Sequence, residues 1–185
     1  MSAPGLMRPL LVFADAVDWL DEQFGQALKW LVLFASVVSA GNALMRYSIH
    51  YSSNAWLEIQ WYMFGAMFLL AAGYALKHGE HVRVDVFYSK MSPRTQAWVD
   101  VAGTLLFLLP MAIIIAWLSI PMVVNSIRIQ EHSSDAGGLL RWPIKIMIPL
   151  GFAILALQGL AEIVKKTAIA CGVREPGKAY ERPVQ

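Results

Sequence analysis

Four long apolar runs separated by short polar stretches limit what this chain can fold into more than any other feature of it. They occupy residues 28–45, 56–76, 99–124 and 142–164, and each is near the roughly 20 apolar residues that cross a bilayer as a helix. Backbone N–H and C=O groups in hydrocarbon must pair within their own segment, so each run is read as a helix. Of the 185 residues, 57% are hydrophobic and 15% charged, where a soluble domain carries about 25% charged residues. Residues 1–27, the loop 77–98 and the tail 165–185 are too short to build a core of their own, which argues against an enzyme. One cysteine, Cys171, excludes a disulfide scaffold and a cysteine-ligated metal centre. A net charge of +2 gives no basic field for nucleic acid.

Basic residues set the orientation. Arg8, Lys29, Lys77, Arg83, Lys90, Arg94, Lys165, Lys166, Arg174, Lys178 and Arg182 fall on one side of the four spans, against Arg46, Arg128, Arg141 and Lys145 on the other. The positive-inside rule then places both ends and the middle loop in the cytoplasm. Within residues 1–27, Leu6, Leu10, Phe13, Val17, Leu20 and Phe24 recur at spacings of four and three, with Asp15, Asp18 and Glu22 opposite. This pattern predicts an amphipathic helix along the membrane edge or against a partner, in preference to a plain interfacial anchor. Ser92-Pro93 is an N-cap and first-turn pair, so the third helix is expected to start there and run to about Val124. Pro110, Pro121 and Pro149 are expected to bend their helices. The expected fold is an all-α integral membrane protein. It has four transmembrane helices, the amphipathic N-terminal helix, a short interfacial helix in the cytoplasmic middle loop, and a cytoplasmic tail from 165 to 185.

A carrier of polar solutes places ionisable groups or broken helices near the bilayer midplane. Here Lys29, Glu58, Asp100, Lys145 and Glu162 all lie within four residues of a span end, and Gln158 is the most polar group deeper in. Glu58 is either a polar contact to a partner or a carboxylate favoured by the positive end of its helix. Trp56, Trp61, Trp98 and Trp142 sit where aromatic belts form. Ala35, Ser36, Ser39, Ala40 and Ala43 make a small-residue strip that lets another helix approach. Gly172, Gly177 and Lys178 imitate a phosphate loop, but Ala179 stands where Ser or Thr is required and no strand precedes it. His50, His78, His81 and His132 all lie in loops, away from a bundle core that could hold haem. No cofactor is expected.

A set of short motifs, in order, carries a resemblance. Glu58 opens the second span and His81-Val82-Arg83-Val84-Asp85 follows it. The second outer loop holds Glu131, Ser133, Gly137-Gly138-Leu139 and Trp142-Pro143, and the fourth span holds Pro149-Leu150-Gly151 and Leu157-Gln158. Across roughly 27–164 the chain resembles the small membrane (DctQ-like) subunit of tripartite ATP-independent periplasmic (TRAP) transporters. That resemblance implies a bacterial inner-membrane subunit that braces a large transport subunit, in a sodium-driven importer of organic acids fed by a periplasmic binding protein. Sodium would belong to the whole transporter and not to this chain. Under this reading Glu58, Trp61, His81, Arg83 and Asp85 are candidate contacts to the large subunit or to membrane lipids. Glu131, Ser133 and Asp135 are candidate docking contacts for the binding protein, and the strip from Ala35 to Ala43 is a helix-packing face. The competing readings are a membrane anchor for a redox enzyme and a stand-alone small exporter.

Overall fold

The computed structural model describes residues 7–51, 53–79, 88 and 90–174. Helix α1 spans Met7–Ile49. Helix α2, Asn54–Leu70, is continued by α3, Ala72–His78, after a slight break at Ala71. Helix α4, Pro93–Gly103, leads through a π-turn at Thr104–Leu108 into α5, Leu109–Arg128. Helix α6 covers Trp142–Ala170. The four resulting rods, Met7–Ile49, Asn54–His78, Pro93–Arg128 and Trp142–Ala170, are each long and apolar enough to span a membrane. No strand occurs among the described residues.

Helix α6 is the hub, packing against each of the other five helices. Its sequence explains why. Ala161, Ala168, Gly151 and Gly159 are buried along it, and small residues let helix backbones approach where no hydrophobic force drives them together. A Cβ on Gly151 would lie 2.6 Å from the carbonyl oxygen of Leu69 in α2, and one on Gly159 would lie 2.9 Å from Leu108 Cδ2. Leu108 closes the π-turn, in which the N–H of Leu109 reaches back five residues to the carbonyl of Thr104. This wide turn immediately precedes Pro110, whose ring would clash with a tighter turn and which offers no N–H. Pro121 and Pro149 lie inside α5 and α6 without breaking either.

The third rod begins where its sequence signal lies. Ser92 Oγ accepts the N–H of Thr95 at 3.3 Å, and Pro93 occupies the first turn. The N-terminal segment differs from expectation in its continuity with the first span. It is no separate helix at the membrane edge, because α1 runs unbroken through residues 27 and 28 for 43 residues. At ~1.5 Å per residue that is about 65 Å, twice the thickness of the hydrocarbon. Its apolar stripe faces mostly outward, as a stripe against lipid or a partner would. Leu10, Phe13 and Leu20 of the apolar stripe are exposed, while Asp21 is 1% exposed, and only Val17 of that stripe joins Ala14 against Ala161. Asp18 and Glu22 turn inward because α3 and α6 present Lys77, Gln158 and Lys165 to them, while Asp15 stays exposed. The expected interfacial helix around His81 to Asp85 lies outside the described residues.

Candidate functional site

Between α5 and α6 the chain folds into a tight hairpin. Gln130 takes a left-handed conformation (φ 46°) as α5 ends. The N–H of Arg141 then donates to Glu131 O at 2.8 Å and that of Ser133 to Leu139 O at 2.9 Å, flanking an antiparallel bridge between His132 and Leu140. Gly137, at φ 72°, makes the reversal, a region of backbone space that favours glycine.

The hairpin is held from below by one face of α2. Asn54, Glu58, Trp61 and Tyr62 follow the three- and four-residue spacing that aligns side chains on a helix. Asn54 Nδ2 donates to Ala136 O at 3.0 Å, and Tyr62 Oη donates to Leu140 O at 2.9 Å. Glu58 is the centre of the arrangement at 3% exposure. One carboxylate oxygen accepts the N–H of Leu139 at 2.6 Å and the other accepts the hydroxyl of Ser133. Arg141 Nη2 stands 3.7 Å from Glu58 Oε1, donates to Ser133 Oγ at 3.0 Å, and its guanidinium lies 5.1 Å from the Trp61 ring centre. A cation over an indole face adds attraction of its own. Gly138 is required here by space, because a Cβ would come within 2.9 Å of Glu58 Oε1 and run into Ser133.

The residues singled out in the sequence thus divide. Glu58 and Ser133, expected on partner-facing surfaces, bind each other inside the chain, and Trp61 stacks under Arg141 with its outer part exposed. Asp135 is exposed at the hairpin tip. Glu131 forms an ion pair with Lys145 of α6. His81, Arg83 and Asp85 lie outside the described residues. Ala35, Ser36, Ser39, Ala40 and Ala43 line an open groove of about 420 Å³, closed on one side by Phe64 of α2. Only Ala35 of the five is buried, so the rest of the strip is uncovered by the described residues.

Hydrogen bonding from Lys145 holds the Glu131 carboxyl below the usual glutamate range. The sign of its contribution follows: the tie is complete above the ordinary glutamate pKa and is lost as pH falls through the lowered value. In a pH series from neutral into the acid range, protease nicking of the hairpin is expected to rise later in the wild type than in Lys145→Met. Coincident curves would remove this pair from the loop's support.

A second polar cluster, at the other end of the bundle, escaped the sequence reading. Lys165 Nζ donates to Asp18 Oδ1 and Oδ2 at 2.8 and 2.9 Å and pairs with Glu162. Gln158 Nε2 donates to Asp18 Oδ1 at 2.9 Å. Lys77 of α3 reaches Glu22 at 2.7 Å and the backbone oxygen of Asp18 at 2.9 Å, and His78 lies 3.3 Å from Glu22. The usable signal was Gln158 with the charges of Glu162 and Lys165, one face of α6 that needs a polar or charged partner if buried. Among the described residues no group of three His, Cys, Asp or Glu side chains is placed to hold a metal ion.

The family model described as tripartite ATP-independent periplasmic transporters, DctQ component, matches residues 35–168, more than two thirds of the chain. No curated protein and no solved structure matches it significantly.

Proposed function

Because the chain belongs to the DctQ family, the small permease component of tripartite ATP-independent periplasmic transporters, we propose that it is the fixed frame against which a large transport subunit works. Membership makes it a multi-span membrane component of a three-part transporter. The scaffold role rests on one observation above all. Among the described residues, every charged side chain within the four apolar runs lies within four residues of a run's end, Glu58 in the hairpin hub and Glu162 beside Lys165, and the middle of the runs lacks the charged site that a carrier of polar solutes requires.

Two surfaces suit such a frame. The uncovered groove along Ser36, Ser39, Ala40 and Ala43 admits a neighbouring helix at close range, and we assign it to the large subunit. The hairpin at residues 131–141 is rigid through Glu58 and presents Asp135 outward, which suits docking of a binding protein. In this reading the transporter is a sodium-driven importer of organic acids in a bacterial inner membrane, with both ends of this chain in the cytoplasm, and Arg83 and Asp85 meet the large subunit or lipid headgroups.

Reconstitution tests it. Proteoliposomes with this chain, its large partner and the binding protein are expected to accumulate an organic acid under an inward sodium gradient, while this chain alone gives none. Ser39→Trp with Ala43→Trp, which fills the groove, is expected to abolish co-purification with the large subunit. Sodium-coupled flux by this chain alone would sink the scaffold role. A Soret absorbance in the purified protein would favour a redox anchor instead.

A further inference from the structure

Asp21 is 1% exposed, and its Oδ2 has no hydrogen-bond partner. That oxygen faces a wall rather than a donor. A Cβ on Gly73 of α3 would sit 2.7 Å from it and 3.0 Å from Ile154 Cγ2 of α6. The charged and titratable groups that face this corner are Asp18 and Glu22 on α1, Lys77 and His78 on α3, and Glu162 and Lys165 on α6. Both lysines are engaged with other oxygens. Lys165 binds Asp18 and Glu162, and Lys77 binds Glu22 and the Asp18 carbonyl. Gln158, 0% exposed, turns its amide N–H groups to Asp18 and Glu162, which leaves its Oε1 as a second buried acceptor without a donor.

Four carboxylates therefore share two lysine ammoniums, and the most buried carboxylate receives neither. A buried, unpaired carboxylate is among the costliest groups a fold can hold, and in practice it neutralises. A metal cation would need several converging oxygens, and the described residues offer no such set. A proton needs one.

We propose that Asp21 is a proton-binding site. The carboxylate takes up one proton from the aqueous side at this end of the bundle, forming an O–H bond with no bond broken in the chain. The neutral acid removes the excess charge and turns an acceptor into a donor. It is the form in which the first half of α1 lies against α3 and α6. Because the folded chain holds this proton more tightly than the unfolded one, the stabilisation is complete at low pH and is lost as pH rises through the folded-state midpoint.

The test uses the full chain in lipid nanodiscs, followed by infrared difference spectroscopy across a pH series. The wild type is expected to show the carbonyl stretch of a neutral carboxylic acid, shifted in deuterium oxide, lost in Asp21→Asn, and titrating above the range of an exposed aspartate. Its melting temperature is expected to fall across that same titration, while Asp21→Asn, which keeps a neutral side chain with a donor, stays flat. No such band, a band that survives in Asp21→Asn, or a midpoint in the ordinary aspartate range would overturn the proposal. So would failure of Asp21→Asn to fold, since the amide is the acid's neutral isostere. Thermal stabilisation of the wild type by sodium or potassium over choline at equal ionic strength, absent in Asp21→Asn, would overturn it in favour of a metal cation.

Discussion

Glu58→Ala is expected to free the hairpin at residues 131–141 while leaving the four rods assembled. The substitution strands the Leu139 N–H, the Ser133 hydroxyl and the Arg141 guanidinium together, since all three converge on this one carboxylate. A buried donor left without an acceptor costs about 1–3 kcal/mol, and here the groups lose their partner in a single step. Asn54 and Tyr62 would still hold Ala136 and Leu140, so the loop stays tethered at its edges but loses its centre. The expected readout is rapid proteolytic cleavage between residues 131 and 141, with a lowered melting temperature. Glu58→Gln, which keeps one acceptor oxygen but turns an amide N–H toward Arg141, is expected to fall between. Wild-type protease resistance in Glu58→Ala would show that the hairpin stands without its anchor. If the hairpin docks the binding protein, the same variant should slow transport by the three-part system without dissociating the membrane subunits, because the groove is lined by α1 and Phe64 and by no residue of the hairpin.

How this anchor was legible in the sequence, and how it was not, has a physical reason. The four spans were readable because a bilayer imposes length and apolarity on any segment that crosses it. The cap at Ser92-Pro93 was readable because it is local. Glu58 stood out as a charge near a span end, but its partners lie 75 to 83 residues away on a hairpin whose closure depends on Gly137 and Gly138, and neither position announces a fold by itself. The strip from Ala35 to Ala43 was visible as small residues at helical spacing, and the structure adds that most of it is left open. The stripe in the first 27 residues was legible as an apolar face, but what its acidic side packs against was not: in soluble proteins it is the apolar face of a helix that packs inward. When the surroundings are lipid that preference can reverse, and Asp18 and Asp21 turn in toward the polar groups of α3 and α6 while Leu10, Phe13 and Leu20 face out. The family match begins at residue 35, so that first half of α1 lies largely beyond what it covers.

Lys165→Met is expected to loosen that half of α1 specifically. The Lys165 ammonium bridges two helices: it binds both carboxylate oxygens of Asp18 on α1 and reaches Glu162 on its own α6. Without it, Asp18 keeps only the amide of Gln158, and the carboxylates of Asp18, Glu22 and Glu162 are left with Lys77 as their nearest lysine. Removing one partner of a buried ion pair costs roughly 3–5 kcal/mol, and the lower end applies here because Asp18 and Lys165 both retain some solvent contact. Apolar contacts that oppose release include Ala14 and Val17 on Ala161, with Val164 beside them, and Gly25 against the Tyr74 ring. The loss should therefore appear as faster amide exchange over residues 10–25, with little change in α5 or α6. Pairing the change with Asp18→Asn removes the stranded charge and should recover most of the loss, as expected for residues coupled through one contact. Lys29→Met, one residue beyond Leu28 on an exposed face, serves as the control and should exchange like the wild type. Uniform exchange across all rods in Lys165→Met would instead make the cluster part of the global core, and the first half of α1 would no longer count as a separately released element.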